Sequence, residues 1–441
     1  MLDTLPMSLF QIVAVLMIAL SVILDGLDNQ MLGLAAPSLI REWGFAKEVL
    51  GVIFALGFVG MGVGTLASGW LGDRYGRRVA LLFGVITFGI ATILTGLATS
   101  VAQIAILKTL AGVGLGGIPG TAAAMIAEFT PSRWRSLAVT FGAVCVSIGG
   151  VLGGIAAAFI LPPFGWRALF YLGGAITLVF ALLFWFFLPE SPRYLAVTSG
   201  RTAELAEMLR RMGHEDPDLA LTERCEQPSP DRAPSSLLFK GSLLRDSLAL
   251  SAAMLAGMFM IYLMFNWAPT LLSGLGFGLP TASLGLTSFN LGGTIGALIA
   301  ATIILRMGSR GPLIFMALVG TGICVFLAAL PIVGGQNETP LLAALCGLGL
   351  FASAAQSAMF SVGAHAFPTA VRARGLGLMG AAGRVGAILS ALLGAALLGG
   401  GNASFFGILA ILMFVNAMAF VAVRNHVPSR LPPALLREIP A

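Results

Sequence analysis

The chain has 441 residues, 58% of them hydrophobic and only 10% charged, with a mean hydropathy of +0.96. Apolar runs repeatedly reach the roughly 20 residues that cross a bilayer, which excludes a soluble globular domain and reads as an all-α polytopic membrane protein. The net charge of +6 is dispersed among inter-helix segments, with no dense basic tract interleaved with aromatics, so no nucleic-acid partner is expected.

The first expected span, residues 9–36, carries LDGLDNQ in its second half. Asp25 and Asp28 stand three residues apart, so a helix sets both carboxylates on roughly one face. A carboxylate facing hydrocarbon is costly, so acids inside a span line a cavity, pair with a base or exchange a proton. At about 1.5 Å per residue, Asp25 lies roughly 24 Å along the helix, and the alternative for Asp28 is an interfacial, structural role.

Further spans are expected near 47–69, 79–98, 102–127, 136–161 and 166–188, then at 246–272, 281–305, 311–331, 339–363, 373–399 and 402–422. The division is therefore an N-terminal six-helix bundle (1–188), a cytoplasmic linker (189–245) and a C-terminal six-helix bundle with its tail (246–441). Within the linker, RTAELAEMLRRMG reads as a short amphipathic helix and EQPSPDRAPSS as a flexible connector. Arginines concentrate in alternate segments (Arg74, Arg77 and Arg78, then Arg133 and Arg135, later Arg372 and Arg374), which places both termini in the cytoplasm. No removable signal peptide is read at the N-terminus, so the first span directs insertion.

Small-residue spacings recur in the spans: Gly60 with Gly64, Gly112 with Gly116, Gly149 with Gly153, Gly150 with Gly154, and Gly292 with Gly296. Removing side chains lets helix backbones approach, which suits packing in lipid. The four cysteines, at 145, 225, 324 and 346, show no CxxC spacing, so neither a disulfide framework nor a metal site is indicated. No cofactor fingerprint or activated nucleophile stands out, and an enzyme is not expected.

The segment GWLGDRYGRRVALLFG, residues 69–84, resembles the loop between the second and third spans of the major facilitator superfamily, and the six-plus-six pattern extends that likeness over almost the whole chain. LDGLDNQMLGLAAPSL, LGGIPGTAAAMIAEFTPSRWR, NWAPTLL and HAFPTAVRARGLGLMGAAGRVGAI are similar to the aromatic acid:proton symporter branch. The resemblance implies the major facilitator fold, twelve transmembrane helices in two six-helix bundles, placed in a bacterial inner membrane.

In that loop, Asp73 can accept bonds from helix-end amides or an arginine, while Arg74, Arg77 and Arg78 hold the loop inside; the resemblance assigns all four to gating. The counterpart after the eighth span, LRMGSRGP, keeps Arg306, Gly308 and Arg310 but lacks an aspartate. Lys108 stands where the family carries an arginine; it can attract an anion or neutralise an acid, or snorkel to the boundary. Glu128 is expected to pair with Arg133, Arg135 or the loop after the second span, as a gate contact.

Arg384 lies deep within its span, and the resemblance associates it with attraction of an organic carboxylate. His365, near an inner end, is weighed as a gating residue together with Arg372. Asn266, Trp267, Asn290 and Gln356 are candidates to orient a carboxylate, hydroxyl or ring, with interhelical hydrogen bonding as the alternative. Phe54, Phe58 and Phe141 are read as packing. The expected activity is proton-coupled uptake of small aromatic carboxylates such as hydroxybenzoates by a functional monomer in contact with membrane lipid. Asp25 or Asp28 carries the proton, and no cofactor takes part. The alternatives are proton-driven export of hydrophobic or aromatic compounds, and a non-transporting receptor or scaffold.

Overall fold

A computed structural model describes residues 7–198, 201–213, 235–239, 241–334, 336–368 and 371–429. Cys225 and most of the EQPSPDRAPSS connector lie outside the described residues. Among the described residues there is no strand. The helices are α1 (Leu9–Trp43), α2 (Lys47–Tyr75), α3 (Arg77–Gly96), α4 (Val101–Leu115), α5 (Ile118–Phe129) and α6 (Ser132–Phe187). There follow two short ones, α7 (Pro192–Val197) and α8 (Thr202–Arg211), then α9 (Gly241–Gly274), α10 (Leu279–Met307), α11 (Arg310–Ala329), α12 (Glu338–Ala366), α13 (Arg372–Gly399) and α14 (Gly401–Ala422).

Among the described residues eleven helices are long and apolar enough to cross a membrane. The 56-residue α6 makes two of the passes, because Pro162, Pro163 and a non-helical Gly165 at φ 75° bend it midway. A Cβ at Gly165 would be strained in that left-handed region. Beside the bend, Trp166 donates its indole N–H to Glu42 Oε2 at 2.7 Å. The fourth pass is discontinuous: α4 and α5 are separated at Gly116 and Gly117, and Pro119 sits in the first turn of α5. The result is twelve passes, the fold expected from the sequence.

The chain divides into two compact units: Met1–Asn29 with Leu56–Gly149 and Arg167–Ser229, and Gln30–Ala55 with Gly150–Trp166 and Pro230–Ala441. In the first, α2 and α4 meet backbone to backbone. A Cβ added at Gly60 would lie 2.2 Å from Thr109 O, and one at Gly116 would lie 2.0 Å from Met61 O. Gly26 and Gly149 bring α1 and α6 equally close. In the second unit, Gly292 and Gly296 seat α10 on the Cys346 and Leu350 carbonyls of α12. The later part of α1 meets α9 where Gly33 faces Phe265 O. Lipid tails give apolar helices no drive to leave one another's company or seek it, so such close contact rests on dispersion and small residues.

The linker supplies more ordered structure than a bare connector. Helix α8 buries Leu205, Met208 and Leu209, while Glu204 pairs with Arg201 and Glu207 with Arg211 on its solvent side. These exposed pairs are worth little singly; the buried apolar face fixes the helix.

Gly62 has nothing within 4 Å of an added Cβ, whereas Gly60 has none of that room. Gly60→Ala is therefore expected to cost ~1–3 kcal/mol through overpacking, and Gly62→Ala to be neutral. Melting of the two purified variants in detergent checks this; equal melting temperatures would refute the α2–α4 contact.

Candidate functional site

The first unit holds the acids of α1. Asp25 and Asp28 are the 17th and 20th residues of a 35-residue helix and are only 4% and 2% exposed, so neither is interfacial. Lys108 of α4 lies with its Nζ 3.2 Å from Asp28 Oδ2 and 3.3 Å from the Asp28 carbonyl. The Thr92 hydroxyl of α3 donates to the other carboxylate oxygen, Oδ1. Lys108 is 7% exposed, so it does not snorkel. Its stem runs along α2 at Gly57, where an added Cβ would approach Lys108 Cγ at 3.3 Å. A lysine with a compact charge can exchange one carboxylate partner for another without a fixed planar geometry.

The second unit gathers polar groups of a different kind. Asn290 of α10 and Gln30 of α1 form a reciprocal amide pair at 2.7 and 3.1 Å, and Asn290 also donates to Leu286 O at 2.9 Å. With its amide committed this way, Asn290 holds helices together. Gly150 of α6 lies flush against both amides. On α9 the pattern reverses: Asn266 Nδ2, Trp267 Nε1 and Thr270 Oγ1 are buried without hydrogen-bond partners. Trp267 is fully buried, edge-on to Phe54 with centroids 5.5 Å apart. Gln356 of α12 donates to Met254 Sδ at 3.0 Å, and its carbonyl oxygen has no partner. Arg384 is half-buried, thirteen residues into the 28-residue α13.

The proposed gate residues occupy the polar ends of the spans. Asp73 pairs with Arg77 at 3.4 Å, and the Arg74 guanidinium lies 5.6 Å from the centroids of Trp70 and Tyr75. The turn between α2 and α3 passes through Gly76 at φ 108°, and its helix-end amides are met by Glu190 rather than by Asp73. Glu190 Oε1 accepts from Arg78 N at 3.1 Å and from Ser191 N at 2.8 Å. A Cβ at Gly76 would collide with Glu190 Oε2 at 2.1 Å. Burial raises the Glu190 pKa, against the lowering effect of the amides of Ser191, Arg78 and Arg77. Tyr194 adds a bond to Arg74 O at 3.1 Å.

Glu128 accepts from the Ser191 hydroxyl, not from the arginines expected for it. Arg133 stacks on Trp134, while Arg135 Nε donates to the Ala127 and Thr130 carbonyls. Glu190, Ser191 and Tyr194 were not among the residues singled out in the sequence. Their signal is the Ser-Pro of LPESPRYL, an N-cap followed by a proline at the first helical position, since Ser191 Oγ accepts from Tyr194 N at 3.1 Å. His365 and Arg372 are exposed at adjoining helix ends, and Arg372 Nε donates to Phe367 O at 3.3 Å.

A second turn is held by the same means. Gly308, at φ 80°, opens the turn after α10, and Ser309 N donates to Val427 O at 3.0 Å. Ser309 Oγ accepts from Val427 N and lies 3.0 Å from His426 Nδ1, while His426 Nε2 is 3.0 Å from Phe420 O. The only tautomer that satisfies both contacts carries its proton on Nε2, leaving Nδ1 to accept from Ser309. Asp246 of α9 receives Arg424 N at 2.9 Å and Asn425 Nδ2 at 3.1 Å. Burial lowers the His426 pKa, with Arg310 adding to the lowering and Phe420 O and Asp246 opposing it.

Comparison with known proteins follows the same lines. The model of the Major Facilitator Superfamily matches residues 18–335 and 275–440. The 4-hydroxybenzoate transporter PcaK of Pseudomonas aeruginosa is 35% identical over 425 residues, spanning 95% of this chain and 93% of that protein. The gallate transporter of Pseudomonas putida is 31% identical over 438 residues, 98% and 96% of the two chains. Among solved structures, the inward open conformation of the xylose transporter XylE from E. coli is similar with a TM-score of 0.75 at 18% identity, covering 95% of this chain and 98% of that one.

Two measurements test the geometry. Lys108→Met strands the Asp28 carboxylate in an apolar setting and is expected to cost ~3–5 kcal/mol, most of it recovered in the Asp28→Asn/Lys108→Met double variant. Strictly additive losses in a double-mutant cycle would deny the pair. For His426, the unfolded chain binds the proton more readily than the folded one. Stability from the neutral ring is therefore present above the unfolded pKa of about 6.5 and lost as pH falls through the lower folded value. The melting-temperature gap between wild type and His426→Gln is expected to shrink below about pH 6; a gap constant from pH 5 to 8 would remove His426 from the latch.

Proposed function

The chain belongs to the Major Facilitator Superfamily, and on that premise we propose that it takes up small aromatic carboxylates such as hydroxybenzoates together with protons. It is an integral membrane transporter and not an enzyme. The observation that carries the substrate class is 31–35% identity to a gallate transporter and a 4-hydroxybenzoate transporter over almost the full length of each. We further propose a bacterial inner-membrane location and a functional monomer, with both termini cytoplasmic on the arginine distribution of the loops.

Asp28 and Lys108 suggest how coupling works. While Asp28 is ionised, Lys108 is neutralised by it at 3.2 Å. Protonation of Asp28 removes that partner and leaves a buried cation in need of an anion, a need that a substrate carboxylate meets. An unprotonated Asp28 competes with substrate for the same ammonium, so anion and proton bind in concert. Asp25, one helical turn earlier, is the second candidate for the proton. Arg384 is assigned to attraction of the substrate carboxylate, and Asn266, Trp267 and Gln356 to orientation of the ring and its substituents. Cycling between two access states by reorganisation of the helical bundles then delivers both species.

Sealed proteoliposomes with an acidic exterior should accumulate radiolabelled 4-hydroxybenzoate. Collapse of the gradient with an ionophore should abolish accumulation, and Asp28→Asn should lower it at least tenfold while leaving the protein folded. Accumulation indifferent to the gradient would end the symport reading. No uptake of 4-hydroxybenzoate, gallate, protocatechuate or benzoate by folded protein would end the substrate assignment.

A further inference from the structure

The surface of the first unit carries a feature that substrate transport does not use. Between α3 and the second half of α6 lies a groove of about 190 Å³, lined by Ile86, Leu178, Ala181, Leu182 and Trp185. Above it the two helices are held tightly: an added Cβ at Gly89 would lie 2.9 Å from Leu178 Cδ2, and one at Gly174 would lie 2.5 Å from Ile93 Cγ1. From there toward the end of α6 the groove lines an eight-residue stretch of that helix, with Leu178, Ala181, Leu182 and Trp185 spaced to share a face. Ala181 is buried at its floor, while Leu182 and Trp185 are 60% and 57% exposed on its flank. At about 1.5 Å per residue, the groove is about 11 Å long.

A charge waits at its polar end. Arg78, at the start of α3, donates from one guanidinium nitrogen to Trp185 O. Its backbone N–H goes to Glu190, and Asp73 is taken by Arg77. Arg78 is half-buried, and among the described residues its guanidinium has no carboxylate partner. The remaining N–H groups form a planar fork that fits the oxygens of a phosphate. Trp185 stands beside it, where an amphipathic ring suits a headgroup boundary.

We propose that this groove is a binding site for an anionic glycerophospholipid, with one acyl chain along Ile86, Leu178 and Leu182 and the phosphate on Arg78. The apolar lining excludes a polar occupant, and the unneutralised cation selects a negative headgroup over a zwitterionic one. The site also touches the gate turn, because Arg78 is bonded through its main chain to Glu190. A bound lipid thereby steadies the Gly76 turn from the membrane side.

Brominated acyl chains quench tryptophan only at contact, and Trp185 can be isolated among the six tryptophans by subtracting the Trp185→Phe signal. The full-length protein is reconstituted in phosphatidylcholine with one-tenth brominated phosphatidylglycerol, or with the same fraction of brominated phosphatidylcholine. Trp185 quenching is expected to be at least threefold greater with the anionic lipid. Arg78→Gln should reduce it to the phosphatidylcholine level, Arg78→Lys should retain part of the preference, and Leu182→Phe, which fills the groove without touching the charge, should reduce quenching by both lipids. Equal quenching by the two lipids in wild type would overturn the proposal, as would an undiminished preference in a folded Arg78→Gln variant. Neither result depends on which substrate is carried.

Discussion

A carboxylate taken out of water must be answered by a cation and a donor within a few ångströms, and at Asp28 the answers come from two other helices. Lys108 arrives from α4 and the Thr92 hydroxyl from α3. For the ammonium to reach α1, its stem must cross the face of α2, which Gly57 leaves clear. Gly60, Gly64, Gly112 and Gly116 then hold α2 and α4 at backbone contact around that crossing. The glycine spacing and the intramembrane charges are thus parts of one requirement. Larger residues at the contact would push α4 outward and draw Lys108 away from the acid it neutralises.

The two latched turns obey a second rule, that a helix N-terminus at a membrane boundary needs its free amides met. After α2 the acceptor is Glu190, carried in by the chain that follows α6. After α10 it is Val427 O, which accepts from Ser309 N and is carried in by the chain that follows α14, where His426 also contacts the Ser309 hydroxyl. Both turns use a glycine of positive φ and both are closed by the segment that ends their own set of passes. The aspartate absent from LRMGSRGP therefore leaves no gap: Asp246, a whole helix away in sequence, anchors the closing segment instead. Repetition survives here in the geometry after the residues have diverged.

The passes themselves were legible because each is a long apolar run, and even the join inside α6 was marked by Pro162, Pro163 and Gly165. Asp25 and Asp28 were legible because charge inside such a run is conspicuous. Partners were harder to read. Thr92 is 64 residues from Asp28, Glu190 is 112 from Arg78 and Asn290 is 260 from Gln30. Hydroxyls and amides are common in spans, so nothing in the sequence marks which two will meet. Glu190 was hidden by a different cause: it lies just past an apolar run, where an acid looks like ordinary loop, and its duty shows only once the α3 amides are seen to need it. Glu128 was assigned to arginines on charge grounds, whereas a serine hydroxyl one helix further on satisfies it.

Helix α9 shows where stability and function part. Asn266, Trp267 and Thr270 bury a donor or hydroxyl each with nothing to bond, and each such orphan costs about 1–3 kcal/mol relative to a satisfied group. Leucine, phenylalanine and valine would fill the same space without that cost. Asn266 and Thr270 share one helix face, one turn apart, and Trp267 is wedged against Gly394, so these are positions where packing alone gives no reason for polarity. A transporter meets this condition naturally, because a wall that is wet or liganded in one state is dry in another. Asp28 is met by two neighbouring helices, whereas these polar groups of α9, like Gln356 Oε1 and Asn416 Oδ1, have no hydrogen-bond partner among the described residues.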